Sequence, residues 1–218
     1  MLTRRFVSTL GLLIAAASSL FLSSCATQHD VNDSKMLVSV KDQTMLLTQF
    51  GKPIKTYKIS TSKFGEGDTP RSMCTPLGTM KVARKIGHNE PNGAVFKSRR
   101  PTGEVISPNA PGRDPIVTRI MWLKGTERRN SNAFERYIYI HGTPEESRIG
   151  EKASYGCIRM SSKDVADLYG RIGVNADVTV IKGPLSDTLA GLQYRFMAKS
   201  SSESAEKKSK GKSKKKEA

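Results

Sequence analysis

The strongest constraint on the fold is a run of short segments, too brief and too rich in branched and aromatic residues for helices. "KMLVSV" (35–40), "TMLLTQF" (44–50) and "IKTYKIST" (54–61) are separated only by turn-like "KDQ" and "GKP". Such residues fit a pleated surface, so the pattern predicts three strands in a meander. "GTMKVARKI" (78–86), "PIVTRIMWL" (115–123), "RYIYIHG" (136–142) and "ADVTVI" (176–181) extend the series. The fold expected from these segments is mainly β. Residues 87–114, dense in Gly, Pro, Asn and Arg, are predicted as a long loop, the kind of segment that often carries function on a strand scaffold. One helix is signalled by Ser161-Ser162-Lys163-Asp164, with Val165, Leu168 and Tyr169 at helical spacing and Gly170 or Gly173 as its stop. A weaker C-terminal helix is expected over 184–198, with Leu185, Leu189, Leu192 and Phe196 on one side.

Neither end suits a packed core. Residues 1–24 hold Arg4-Arg5, an apolar run from Phe6 to Leu22 and two serines, the layout of an export signal. The run approaches the length of a membrane span, but "AAASS" in its middle is weakly apolar and no basic stop-transfer cluster follows. Leu22-Ser23-Ser24-Cys25 resembles a bacterial lipobox, which implies cleavage before Cys25 and lipidation of its thiol. An ordinary secretory signal cut near Ala26 is the alternative, and Arg4-Arg5 carries little weight as a twin-arginine signal. Residues 25–35 then read as a polar tether. Residues 199–218 hold eight lysines against three glutamates and no large apolar side chain, so the tail is expected to be disordered. The net charge of +16 favours acidic wall polymer or anionic lipid as a partner; export makes nucleic acid an unexpected one. A solubilising tether is the other reading of the tail.

The chemistry centres on "SYGCIRM" (154–160). A thiol attacks well only as a thiolate, so Cys157 needs a base, and His is the usual one. Of three histidines, His29 lies in the tether and His88 in the "GHNEPNG" loop, where it is solvated or lines a cleft. His141 ends a predicted strand beside Gly142, sixteen residues before Cys157, far enough for the chain to return and set imidazole beside thiol. A lone Cys is commonly a small buried apolar residue. Gly156 argues against that reading, because it lets main chain approach a bound carbonyl and turn N–H groups toward it. Cys74 is expected to be a half-buried thiol; pairing with Cys157 in an oxidising compartment is the alternative.

"IHGT" followed by "ASYGCIRM" resembles the L,D-transpeptidase catalytic domain family, whose signature is a His-Gly pair, a similar gap, then Ser/Thr-x-Gly-Cys-Ile/Val-Arg. The opening strands, "CTPLGTMKV" (with Met80 at the family's aromatic position) and "DVTVI" resemble further family segments, so the likeness covers residues 36–183. It implies a β-sandwich-like domain with one short helix after the cysteine loop. It implies Cys157 as nucleophile, His141 as base and later acid, and the Gly142 carbonyl as holder of the second imidazole nitrogen. The N–H groups of Tyr155, Gly156 and Cys157 would form the oxyanion hole. Arg159 would bind a peptide carboxylate or order the loop, with a structural salt bridge as the alternative. Ser154 would bind substrate or hydrogen-bond within the loop. Tyr155 departs from the family, where many members have His.

The resemblance implies acyl transfer on peptidoglycan tetrapeptide stems. Cys157 would attack the bond between the third residue and the terminal D-residue, and an amine would take the acyl group. That amine would come from another stem, a protein lysine or a free D-amino acid. Water as acceptor would make the chain an L,D-carboxypeptidase, and a silent wall-binding lipoprotein is the reading from another class. The chemistry calls for no cofactor, and the sequence holds no zinc-ligand spacing.

Overall fold

The computed structural model describes residues 33–214, with side chains through residue 202. The expected signal over 1–24, Cys25 and most of the tether lie outside the described residues. The tether's last residues belong to the domain: the first strand, β1, is Ser34–Ser39.

β1, β2 (Thr44–Gln49) and β3 (Lys52–Lys58) form the expected meander. The sheet continues from β1 through β10 (Asp177–Ile181) and β4 (Gly78–Ile86) to β7 (Ile116–Gly125). At β7 it branches. One edge carries β4 and, further along, β5 (Ala94–Lys97), itself paired with β6 (Arg100–Val105). The other edge carries β8 (Tyr139–Gly142), which pairs in parallel with β9 (Ile158–Met160). Ser60, just past β3, and Arg159 of β9 exchange amide hydrogen bonds of 2.9 Å in both directions. That exchange closes the hydrogen-bonded circuit and leaves few open edges. Inside it pack Met36, Val38, Met45, Leu47, Met80, Val82, Leu123, Ile140 and Ile158, with Val165 and Leu168 of the helix α1 (Ser162–Arg171).

Three expectations need correction here. Residues 87–114 are not one loop, because they contain the β5–β6 hairpin. Its turn residues Ser98 and Arg99 have φ of 50° and 67°, the left-handed pair of a tight hairpin turn, without the Asn-Gly that normally announces one. The strand expected over 136–142 starts only at Tyr139, because Tyr137 sits at φ 57° and breaks the extended chain. The C-terminal helix α2 is longer than expected, Leu189–Lys214, so residues 199–214 of the segment expected to be disordered continue the helix. It contains no proline, and its Ala, Glu and Lys are good helix formers.

α1 begins as its sequence predicts. Ser161 caps it, accepting from the Asp164 amide at 3.1 Å, and Glu146 accepts from the Ser162 amide at 2.8 Å. At the other end Lys85 donates to the carbonyls of Tyr169 and Ile172 at 2.7 and 2.6 Å, satisfying acceptors that the helix leaves open. The helix packs on β7 and on β8, the strand that carries His141.

Candidate functional site

The β8–β9 pairing builds the site. In parallel register Ile140 faces Ile158 and His141 faces Arg159. Side chains alternate across a strand, so Ile140 and Ile158 enter the main core while Tyr139, His141, Cys157 and Arg159 share the opposite face. Cys157 precedes β9 by one residue and lies alongside Tyr139, whose amide donates to its sulfur at 3.4 Å. The sequence motif thus becomes one strand end, with thiol and imidazole diagonal to each other.

His141 is buried at 5 % exposure, and its Nδ1 lies 2.8 Å from the Gly142 carbonyl oxygen. A carbonyl only accepts, so Nδ1 carries the proton of the neutral ring and Nε2 keeps its lone pair. Burial lowers the imidazole pKa to about 4; the Gly142 bond opposes this and the Arg159 charge adds to it. Gly142 has to be glycine for packing reasons. A Cβ there would lie 2.6 Å from the Val117 carbonyl oxygen and 3.1 Å from Val165 Cγ1.

Cys157 is a half-buried free thiol. Its Sγ donates to the Tyr137 carbonyl at 3.4 Å, and no hydrogen bond joins it to the imidazole among the described residues. Burial pushes the thiol up to about 11, against the pull of the Tyr139 amide and of the Arg159 and Arg136 charges. Thiol and imidazole are therefore both neutral near pH 7.

The loop ahead of the cysteine is tightly fixed. Gly156 has φ of 119°, and a Cβ there would meet the Cys74 carbonyl oxygen at 3.2 Å and Ile138 Cδ1 at 3.3 Å. Its carbonyl accepts from Thr75 Oγ1 at 3.0 Å and its amide donates to Ser154 Oγ at 3.2 Å. The expected oxyanion hole is corrected accordingly: the Gly156 amide is already used, whereas the amides of Tyr155 and Cys157 have no hydrogen-bond partner among the described residues. Of the two readings of Ser154, the structure shows the hydrogen bond within the loop. Ser154 is fully buried, and its hydroxyl donates to the Cys157 carbonyl at 2.6 Å, so it braces the loop and cannot touch a substrate.

Arg159 takes the structural alternative. It is 8 % exposed and forms ion pairs with Asp114 at 2.5 Å and Glu145 at 3.3 Å, so its charge is neutralised before any ligand arrives. Tyr155, by contrast, is exposed at the mouth of the site. Lys63 Nζ donates to its phenol at 3.0 Å and lies 4.4 Å from the ring centre, and this hydrogen bond and charge hold the phenol below its ordinary pKa. Cys74 and Cys157 are not joined; Cys74 Sγ lies 3.3 Å from the Phe64 carbonyl oxygen. His88 is far from this chemistry in its contacts, stacking on Tyr169 at 6.5 Å.

A cleft of about 380 Å³ opens on the thiol, lined by Arg71, Met73, Asn132, Tyr137, Tyr155 and Cys157. Its floor rests on a buried ion pair that sequence reasoning missed. Arg136 pairs with Asp68 at 2.8 Å and donates to the Gly67 and Cys74 carbonyls at 3.0 and 2.8 Å, while Asp68 accepts from the Asn132 amide at 2.6 Å. Asp68 and Cys74 lie over sixty residues before Arg136, so no local pattern marks the group.

A family model described as the L,D-transpeptidase catalytic domain (YkuD) matches residues 33–181. The chain belongs to the L,D-transpeptidase catalytic domain family. The match takes this L,D-transpeptidase domain from β1 through β10 and leaves α2 outside. Among solved structures it is similar to an L,D-transpeptidase from Mycobacterium smegmatis, with 18% identity and a TM-score of 0.44 over 68% of this chain and 58% of that one. It is also similar to one from Xylanimonas cellulosilytica, at 16% identity and TM-score 0.43 over 68% and 60% of the two chains. An Enterococcus faecium L,D-transpeptidase gives 17% identity and TM-score 0.43 over 68% and 50%. The chain therefore spans between half and three-fifths of the length of these three proteins. No protein of curated function matches the sequence.

Proposed function

We propose that this chain is a peptidoglycan L,D-transpeptidase that works through a thioacyl enzyme on Cys157. The observation that carries the reading is the imidazole of His141, fixed through Nδ1 to the Gly142 carbonyl, on the same strand face as a half-buried thiol at the end of an open cleft.

In the proposed reaction, rotation of the Cys157 side chain exchanges the Tyr137 carbonyl for His141 Nε2. The imidazole takes the thiol proton as sulfur attacks the carbonyl between the third and fourth residues of a tetrapeptide stem. The amides of Tyr155 and Cys157, without another partner among the described residues, receive the oxyanion. Collapse breaks the C–N bond, and His141 returns the proton to the departing D-amino acid. An amine then attacks the thioester, gives its proton to His141 and takes the acyl group; sulfur leaves and recovers the proton.

Arg159 serves this chemistry by ordering β9, its charge being spent on Asp114 and Glu145. Arg71, at the cleft without a carboxylate partner among the described residues, is better suited to hold a stem carboxylate. Export and lipid anchoring at Cys25, with the domain facing the wall, complete the proposal and rest on the N-terminal sequence.

Incubation with purified tetrapeptide muropeptides tests it. Crosslinked dimers with release of one D-amino acid per bond are expected, and none from Cys157→Ala. Tripeptides without dimers would make the protein an L,D-carboxypeptidase. Failure of the unaltered protein to gain the mass of a carbapenem would remove the thioacyl mechanism itself.

A further inference from the structure

The first turns of α2 present an apolar face that the domain does not cover. Leu189, Leu192 and Phe196 follow the i, i+3, i+7 spacing of one helix face, with Met197 beside them. All four are exposed, Leu189 and Phe196 at 73% each. The helix is nevertheless docked from its other side. Gly191 is buried, and the Tyr194 hydroxyl lies 3.3 Å from Thr56 Oγ1 of β3. The helix is thus seated with its larger apolar side chains turned outward.

Charge identifies what would cover them. Arg195 and Lys199 flank the exposed face and share a shallow groove with Leu192 and Phe196. Further along the chain, lysines stand at positions 207, 208, 210, 212 and 214–216. A second copy would bring two chains of +16 together. An acidic wall polymer would neutralise the cations but leave the leucines and the phenylalanine in water. An anionic bilayer surface satisfies both, with acyl chains for the apolar face and headgroups for the flanking cations. No helix among the described residues is long and apolar enough to cross a membrane, so α2 would lie along the surface.

We propose that α2 is a membrane-surface helix that inserts Leu189, Leu192, Phe196 and Met197 into an anionic lipid bilayer. It would orient the domain against the membrane independently of any N-terminal anchor and of the reaction at Cys157.

The test is a Phe196→Trp variant of the full chain. Trp122, the single native tryptophan, is 6% exposed and gives a constant background. The variant is mixed with vesicles of phosphatidylcholine carrying brominated acyl chains, with or without about one-third phosphatidylglycerol. The expected result is a blue shift and loss of roughly half of the added emission with the anionic vesicles, and little with the zwitterionic ones. Adding Arg195→Glu and Lys199→Glu should reduce the quenching by the anionic vesicles, and no reduction would overturn the role given to these two cations. An N-terminal anchor would bind both vesicles alike and leaves this difference intact. Equal quenching by both, or quenching by neither, overturns the proposal. So does a blue shift that grows with protein concentration without vesicles, which would assign the face to a second copy.

Discussion

The Ser154 hydroxyl donates to the main-chain carbonyl of Cys157 at 2.6 Å while accepting from the Gly156 amide at 3.2 Å. One buried side chain thus sets the spacing across residues 154–157. Replacing Ser154 with Ala leaves a buried donor and acceptor unpaired, which costs about 1–3 kcal/mol. It also frees the Gly156 amide to drift from its present direction. Thermal melting should show the loss of stability. Carbapenem acylation should fall by a larger factor than the melting shift accounts for, because the reacting atoms move. Acylation at the unaltered rate would reduce Ser154 to a fold residue.

Gly156 is a sharper case. Its φ of 119° disfavours any side chain, and a Cβ would press on the Cys74 carbonyl oxygen at 3.2 Å. Gly156→Ala is expected to cost about 1–3 kcal/mol in strain. The displacement would also move the Cys157 amide, and a misplacement of about 1 Å can cost roughly 100-fold in rate. Comparison of acylation rate with urea stability separates the two effects. A normal rate would mean that the loop relaxes elsewhere.

These two positions mark the boundary of what the sequence reveals. Under the proposed function, Gly156, Cys157 and His141 are legible because thiol acyl transfer would demand a thiol, a base and open backbone in a short stretch. Ser154 is legible as either a loop brace or a substrate ligand, and only its burial decides between the two. The strands of the meander are visible because their branched residues come in short bounded runs. The β5–β6 hairpin is hidden because Ser98 and Arg99 adopt a turn that usually needs glycine or asparagine. β9 escapes notice because three residues carry no period; it exists through its neighbours β8 and Ser60. The Arg136–Asp68 pair is a product of the fold alone.

That pair should behave as a buried ion pair. Both side chains are under a tenth exposed, and Arg136 also holds the Cys74 carbonyl against which Gly156 packs. Asp68→Asn leaves the Arg136 charge without its carboxylate, with an expected loss of about 3–5 kcal/mol by urea unfolding. Arg136→Lys should cost a comparable amount, because one ammonium cannot reach the Gly67, Asp68 and Cys74 oxygens from the directions the guanidinium uses. A loss below about 1 kcal/mol in both would mean that the cleft floor stands without them.

The resting state of the thiol is readable by alkylation. With Cys157 near 11, only a small fraction is thiolate at pH 7. Its iodoacetamide rate in the absence of substrate should rise about tenfold per pH unit toward 11. Cys25 and Cys74 are thiols as well, so the measurement is made on a protein carrying Cys25→Ser and Cys74→Ser. A rate already level between pH 6 and 8 would indicate a thiolate–imidazolium pair at rest, and the neutral scheme would fail.

His141 ties stability to pH with a definite sign. The folded imidazole titrates near 4 because it is buried, whereas the unfolded one titrates near 6.5. Between those values the unfolded chain takes up a proton that the native protein refuses. Stability therefore rises with pH across the window: the contribution is complete above about 6.5 and is lost as pH falls toward 4. The shift corresponds to about 3 kcal/mol. Carboxylates titrate in the same range, so the measurement is a difference: urea unfolding at pH 7 and pH 4 for the unaltered protein and for His141→Gln. The variant should lose less stability than the parent on acidification. Equal losses would mean that the imidazole is more accessible to protons than its burial implies.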